Sequence, residues 1–450
     1  MTLISSFLRS TAKHSLFALF CTYSLMCQGA RWKDVPLHSS VTHVQPMTGL
    51  ILWPHTAREL HQDYGEAIQL EFAYCLPCKV VTGCSDDGTI QYDWTWFERI
   101  LDDVASRGHQ LVARFRYEYP GSRDVDRQVR GATAVPDYIK ARSDYEETYN
   151  DVPGDGPTYY ADWRNEELQR FTLQFYRNFA ARYAHDPRLA FLEVGFGHWS
   201  EYHIYGTDLQ LGRNFPSKAF QRTFLLSMES ALQGLPWVVG IDAGERRYSP
   251  VPDDEELLGL AHGLFDDSFM HKGHEISTGQ GYNERMWQAS GGMTGWQKGP
   301  CGGEISYYSR DDQRCFLNPD GMYGHTWEEQ SAKYHLSFII ANDAPHGEYG
   351  TASRFREAGM AIGYRFRVTA CQTNGRQTRL TVTNRGVAPL YRDAYFAIGD
   401  ARSATSLSGL LPGDTLTVTI PASTATGTPR IVSDAILPTQ VIEYEAGANN

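Results

Sequence analysis

Two carboxylates stand where the sequence gives them unusual company. In "GFGHWSEYHIYG", residues 195–206, an apolar run from Phe191 to Phe196 delivers Glu201 into a group made of His198, Trp199, Tyr202 and His203. Strands normally end in turn residues, so a carboxylate ringed by aromatics and imidazoles points to a site. The second, Glu304, follows two glycines in "GPCGGEISYY", 103 residues further on. Rings such as Trp199 desolvate a carboxyl and keep it protonated, whereas a nearby arginine favours the ionised form. Hydrolysis of a glycosidic bond needs two carboxyls divided in this way. One protonates the leaving oxygen, and the other attacks the anomeric carbon or activates water. Structural roles compete with this reading: Glu201 as a turn residue, and Glu304 as an ion pair beneath a loop.

The elements that must position this pair alternate. Eight β-like runs are expected at 49–54, 67–74, 110–119, 189–197, 236–244, 265–272, 295–305 and 336–343, and helical spacing at 93–108, 162–184, 215–233, 253–264, 327–335 and 353–363. A long insertion from Pro120 to Tyr160 interrupts the series. This order predicts a (β/α)8 TIM barrel over residues 31–364. A doubly wound sheet is the rival, but no GxGxxG or P-loop follows an early strand, and no cofactor is expected. A barrel spends roughly 31 residues on each βα unit, so three units cover about 94. The spacing of Glu201 and Glu304 therefore fits strands four and seven.

Catalytic groups of a barrel sit at the C-terminal strand ends. Read in order, those ends offer Trp53, then Arg114, Arg116, Tyr117 and Glu118, then His198, Trp199 and His203. Asp242 and Glu245 follow run five, His271 follows run six, Tyr307 follows Glu304, and His346 follows run eight. Trp296, beside a glycine-rich loop, joins them as a candidate sugar platform or a packing residue. The group Arg114, Arg116 and Glu118 also fits an internal ion-pair network. "HKGHE" (271–275) has the composition of a metal cluster without HExxH spacing, so no metal is assigned.

The region 49–364 resembles the retaining glycoside hydrolases of the large (β/α)8 clan A. In that clan the acid/base Glu ends strand four and the nucleophile Glu ends strand seven. "GHWSEYH" is similar to the first motif and "GPCGGEISYY" to the second, which implies Glu201 as acid/base and Glu304 as nucleophile. A barrel followed by a small β-sandwich, with a Trp-x-Glu-x-His-like motif, also resembles a group of secreted bacterial proteins of unknown function. The clan usually places Asn immediately before the acid/base Glu, bonded to the sugar 2-hydroxyl. Ser200 stands there in this chain, so the resemblance does not carry that contact over.

Composition bounds the partners. The chain has 450 residues, 42% hydrophobic and 21% charged, with a formal net charge of -12. No basic stretch exists to neutralise phosphates, so no nucleic-acid partner is expected. Aromatics reach 13%, with 10 Trp and 26 Tyr, which suits a cleft that stacks on pyranose faces. The partner expected is a carbohydrate, either cleaved or bound without turnover. A metal-dependent hydrolase or deacetylase using His198, His203 or His271 is the third reading.

Residues 1–30 read as a signal peptide: Arg9 and Lys13, an apolar stretch from Ser15 to Met26, then Gly29 and Ala30. A secreted or periplasmic location follows, with no other membrane span; a single N-terminal anchor is the alternative. In an oxidising compartment some cysteines should pair, and Cys301 with Cys315 is the expected bridge. Zinc at Cys75 and Cys78 is the rival use of cysteine, but no second CxxC follows. After Gly363 the texture becomes Thr- and Val-rich alternation broken by Gly, Asn and Asp. This predicts an antiparallel β-sandwich over 365–450 with an accessory role.

Overall fold

The computed structural model describes residues 31–121 and 133–447. The signal-peptide reading and part of the insertion lie outside these residues. Eight parallel strands close into a barrel. They are β1 (Gly49–Leu52), β2 (Leu70–Cys75), β3 (Gln110–Phe115), β4 (Leu189–Val194), β5 (Trp237–Gly240), β6 (Gly263–Phe269), β7 (Gly302–Ile305) and β8 (Phe338–Ile340). β1, β4, β5 and β8 are near-continuous apolar runs because helices cover one face and the barrel interior the other. The helices α1 (Thr95–Ala105), α2 (Glu166–Tyr183), α3 (Lys218–Ala231), α4 (Tyr282–Ala289), α5 (Trp327–Lys333) and α6 (Ala352–Met360) take up most of that cover. Local chemistry starts them: Asn165 caps α2 through Leu168 N, and Thr326 with Glu329 forms a capping box on α5.

Two elements differ from expectation. The helix expected over 253–264 shrinks to the single turn Glu255–Leu258, because β6 already begins at Gly263. The seventh strand starts at Gly302, not 295, since Gly292–Gly295 form a helical turn first. The insertion also carries order. Thr148–Val152 and Gly156–Tyr160 form a hairpin whose Tyr160 packs on His198.

Register sets the site. Tyr74 of β2, Arg114 of β3 and Glu193 of β4 are successive lateral neighbours, so they occupy one level of the barrel. Between β6 and β7 the register shifts between Asp266 and Phe269. Such an irregularity bends a strand and re-aims side chains, and Asp267 lies within it.

Downstream, β9 (Phe366–Thr373), β10 (Thr378–Asn384) and β13 (Thr415–Ile420) form one sheet. In the other, β11 (Tyr395–Ile398) is flanked by β12 (Ala401–Arg402) and β14 (Arg430–Val432). The short strand Lys33–Asp34 and β15 (Tyr444–Ala446) both add to the edge of β9 that β10 leaves free, the first at Gln372–Thr373 and the second at Phe366–Val368. Val368, Leu380 and Val418 from the first sheet share an apolar cluster with Phe396 and Ile398 from the second, and with Leu70, Phe191 and Phe338 of the barrel. Gln110 donates to the Ala435 carbonyl, and Arg392 donates to the carbonyls of Leu189 and Ala184. Gln110 and Leu189 are first residues of their strands. The C-terminal sheets therefore cover the N-terminal end of the barrel and leave the opposite mouth open.

The cysteine pairing is corrected. No disulfide joins the described cysteines. Cys301 is buried just before β7, bridged to Leu336, while Cys315 ends the helix Arg310–Cys315 beyond that strand. The whole strand, roughly 13 Å of rise, separates the two positions. No described helix is long and apolar enough to cross a membrane.

Candidate active site

A cleft of about 870 Å³ opens at the C-terminal mouth of the barrel. Its floor carries Glu201, Glu304, Asp242 and Asp267. Its walls carry Trp53, Tyr74, Tyr119, Trp199, Tyr205 and Tyr307. The two glutamates are nearly buried, at 6% and 4% exposure, so their acid strength is set by the protein.

The loop after β4 holds Glu201 by force. Trp199, Ser200 and Tyr202 all take left-handed backbone conformations, with φ of 51°, 64° and 71°. Bulky residues rarely adopt this region, and such strain clusters at functional sites. The loop compensates by closing on itself. Tyr202 N donates to the Phe196 carbonyl, His198 N to the His203 carbonyl, and Glu201 N to the His198 carbonyl. A Cβ on Gly195 would lie 2.1 Å from the Ser200 carbonyl oxygen, so only glycine fits there. Ser200 Oγ donates to the Phe115 carbonyl at 2.8 Å and is buried beneath the loop. Ser200 thus ties the loop to β3 and does not reach the cleft.

Arg114 lies under the floor, fully buried, and its guanidinium is shared by three carboxylates. Nε donates to Glu193 at 2.6 Å, Nη1 to Glu201 at 2.5 Å and Nη2 to Glu304 at 2.9 Å. Its other surroundings are aromatic: Phe265 lies 4.3 Å from the guanidinium carbon and Phe72 lies 4.9 Å away. One positive charge does not balance three negative ones in a dry site, and the pKa values move accordingly. Burial pushes Glu193 up to about 7 against the pull of Arg114. Burial also raises Glu201 far above the carboxylate range, opposed by Arg114 and reinforced by Glu304 and Asp267. Glu304 is raised by burial and restrained by Arg114.

His203 forms the other side of the floor. Its Nδ1 lies 2.9 Å from Asp242 Oδ2. Burial disfavours the imidazolium, but Asp242, Asp267 and Glu201 outweigh it and lift the pKa to about 9, so the ring is charged at neutral pH. Glu201, His203 and Asp267 each offer an oxygen or nitrogen within 4.8 Å of the others, which is the arrangement that a metal ion would need.

The sequence candidates separate into three sets. Trp53, Trp199, Glu201, His203, Asp242, Glu245, Glu304 and Tyr307 meet in the cleft. Arg114, Arg116, Tyr117, Glu118 and His198 stand behind it. Tyr117 bonds Thr172 on α2, Glu118 accepts from Ala161 N, Arg116 lies over the Tyr119 ring, and His198 stacks on Tyr160. Burial holds Glu118 up at about 8 and His198 down at about 3, so both are neutral at pH 7. His271, Trp296 and His346 lie elsewhere. Trp296 stacks on His335 with centroids 3.6 Å apart, His346 is exposed on a 3-10 turn, and His271 bonds Asn283 beside a separate small pocket.

Asp267 escaped the sequence reading, which looked past it to His271. The signal was in "FDDSF": adjacent residues of a strand face opposite sides, so one of the two aspartates had to face the barrel. Asp266 turns to His274 and Asn283, and Asp267 takes the cleft. Tyr205, from a loop, and Tyr282 and Asn283, from the first turn of α4, also line it and lie beyond the reach of the strand-end rule.

No protein-family model matches the chain, and no curated protein matches it in sequence. Solved structures similar to it include glycoside hydrolases of low identity. The catalytic domain of β-amylase from Paenibacillus polymyxa aligns at a TM-score of 0.42 and 9% identity, covering 70% of this chain and 99% of that one. The α-galactosidase from Thermus thermophilus gives 0.37 and 12%, covering 76% and 66%. A monomeric β-xylosidase from Caulobacter crescentus CB15 gives 0.36 and 12%, covering 80% and 77%. The fold assignment here rests on the closed eight-strand sheet itself.

Proposed function

We propose that the chain is an exported glycoside hydrolase acting on a poly- or oligosaccharide by a retaining, two-carboxylate mechanism. The observation that carries this reading is the single Arg114 guanidinium bonded to both Glu201 and Glu304 at the floor of an aromatic cleft. Two carboxyls that share one guanidinium are near neighbours. That favours the short spacing of retaining enzymes, about 5–5.5 Å, over the 6.5–9.5 Å or so of inverting ones. Glu304, restrained by Arg114, attacks the anomeric carbon. Glu201, the more strongly raised of the two, gives its proton to the leaving oxygen and later accepts one from water. The rings of Trp53, Trp199 and Tyr307 offer apolar faces for pyranoses. The two C-terminal sheets are read as a β-sandwich accessory domain over 365–450, and residues 1–30 as the export signal.

A screen of chromogenic glycosides and polysaccharides tests the reading. Glu304→Gln should lose activity by about 10⁴-fold or more, as removal of a nucleophile does. Glu201→Gln should lose about 10²–10⁴-fold on poor leaving groups and little on activated aryl glycosides. Full activity in Glu304→Gln would sink the mechanism.

A second reading has one observation in its favour. Glu201, His203 and Asp267 have the proximity of a metal-ligand group, which suits a metal-dependent hydrolase or deacetylase. Activity lost to a chelator and restored by a divalent cation would select it.

A further inference from the structure

Tyr205 lines the cleft with 38% of its surface exposed, yet its ring is firmly placed. It packs across Trp199 and His203, the residues two before and two after Glu201. Their ring centroids lie 6.0 and 5.9 Å away, with planes tilted by 35° and 31°. The His198 ring meets it nearly at right angles, 4.6 Å away. Its hydroxyl donates to Asp155 Oδ2 at 2.7 Å.

Asp155 sits in the turn of the hairpin made by Thr148–Val152 and Gly156–Tyr160, which the insertion after β3 supplies. That hairpin is fastened to the loop after β4 at residues before and after Tyr205. Tyr160 Oη lies 3.0 Å from His198 Nε2, and Asn150 Nδ2 donates to the Gly206 carbonyl at 2.6 Å. A Cβ on Gly206 would lie 2.7 Å from Val152 Cγ1, and its φ is 70°, so glycine is required where hairpin and loop touch. A free aromatic side chain gives up rotamer freedom when it binds. Tyr205 is ordered in advance by its tether, as a binding surface should be.

The place of Tyr205 decides which part of a substrate it meets. A general acid must come within hydrogen-bond reach of the oxygen that it protonates. The leaving group therefore lies beside Glu201, and Tyr205 covers the two residues that flank Glu201. We propose that Tyr205 is the platform for the first sugar of the leaving group and that Asp155 holds it there, so that the substrate is a chain continuing past the scissile bond. This deepens the glycoside hydrolase reading and rests on it. The substrate class is then an oligo- or polysaccharide with a pyranose leaving group, as opposed to a single sugar on a small aglycone. Tyr205 touches the substrate; Asp155 acts through Tyr205 and is a positioning residue.

The test compares two substrates of one sugar. The first is the linear tetrasaccharide that the wild type cleaves fastest, from a panel of α- and β-linked gluco-, manno-, xylo-, galacto- and N-acetylglucosamine tetrasaccharides. The second is the trifluoroethyl glycoside of the same sugar, whose leaving group needs the acid but presents no ring. The ratio of kcat/KM on the first to kcat/KM on the second should fall about 10–100-fold in Tyr205→Ala, as loss of a buried aromatic contact implies. Tyr205→Phe and Asp155→Ala each remove the tether and should lower the ratio by about three- to tenfold. The double variant should be no worse than either, since both delete the same bond. Asp155→Asn keeps an accepting oxygen and should recover most of the loss. Equal losses on both substrates in Tyr205→Ala would mean that the ring merely steadies Glu201, and would overturn the platform, as would an unchanged ratio. Additive losses in the double variant would overturn the tether. A wild type that cleaves the trifluoroethyl glycoside and no tetrasaccharide overturns this proposal and leaves the hydrolase reading standing. A wild type that cleaves no glycoside of any kind sinks both.

Discussion

Arg107 and Arg114 are both held by carboxylates with their side chains almost out of water, and of this pair only Arg114 serves a cleft. Arg107 follows α1 at the end of the barrel away from the mouth. It donates to Glu71 through Nε at 2.8 Å and Nη2 at 2.7 Å, and to Asp103 at 2.8 Å. His109 completes the set, 2.7 Å from Glu71. Arg114, at the other end, has three glutamates, and no other cation is shown bonded to them among the described residues. The first cluster pairs its charges with the bidentate geometry that suits a structural bridge. The second is over-supplied with acid, backed by rings and open to an 870 Å³ cleft. The difference between a bridge that holds strands and a site able to move protons lies in uncompensated charge beside open space.

Exchanging the arginines should separate the two roles, with the largest effects of all. Arg107→Met leaves Glu71 buried without its main partner and should cost about 3–5 kcal/mol of stability. Its kcat should stay near wild type at a temperature where the variant is folded. Arg114→Met should also destabilise. In addition it should lower kcat by about 10²–10³-fold, the usual cost of removing one preorganised electrostatic contact. Denaturant melts and single-substrate kinetics on both variants measure this. A loss of kcat in Arg107→Met as deep as in Arg114→Met would erase the distinction.

The same contrast has a pH signature of intermediate size. Glu193 and Asp267, pushed up to about 7, and Glu118, pushed up to about 8, have folded pKa values above those of the unfolded chain. Their contribution is fully present below the ordinary carboxylate range and is lost as pH rises through 7 and 8. His203 adds a term of the same sign, complete below 6.5 and lost as pH passes about 9. His198, held down at about 3, acts in the opposite direction but only below 6.5. Arg107, its pKa raised by Glu71 and Asp103 against burial, stays charged in both states and contributes no slope. Tm should therefore fall between pH 6.5 and 9, and Asp267→Asn should flatten part of that fall. A Tm that rises over this window would contradict the charge assignment of the mouth.

The sequence made the barrel legible because its strands are buried on both faces and read as apolar runs separated by helical spacing. Glu201 and Glu304 were legible for a related reason. A carboxylate that interrupts such a run beside Trp199, or follows two glycines into β7, has no structural excuse of its own. What stayed hidden depends on side-chain direction. Asp267 was obscured because the irregularity in β6 brings the chemistry forward of the strand's end. Trp296 looked like a sugar platform from its glycine-rich neighbourhood, but its ring found His335. The Cys301–Cys315 pair looked close along the chain, whereas a strand runs between them. Arg114 was visible, but nothing in a linear sequence says that one guanidinium reaches three glutamates from β4, its loop and β7.

The smallest expected effect bears on Ser200, the one position where the strand-four motif departs from the clan A pattern. A residue that bonds a sugar hydroxyl must face the cleft. Ser200 instead gives its hydroxyl to the Phe115 carbonyl and is 3% exposed. Its φ of 64° sits between two other left-handed residues, so its backbone shape, not its side chain, presents Glu201. Ser200→Ala keeps the Cβ and the backbone while deleting one buried hydrogen bond, worth about 0.5–1.5 kcal/mol. Stability should fall by that amount, and kcat/KM on any cleaved glycoside should stay within about twofold of wild type, since no contact made only in the transition state is lost. A tenfold or greater loss of kcat/KM at unchanged stability would mean that the hydroxyl reaches substrate. The loop after β4 would then have to open in use, and the contrast between a rigid, strained Glu201 support and a responsive cleft would need redrawing.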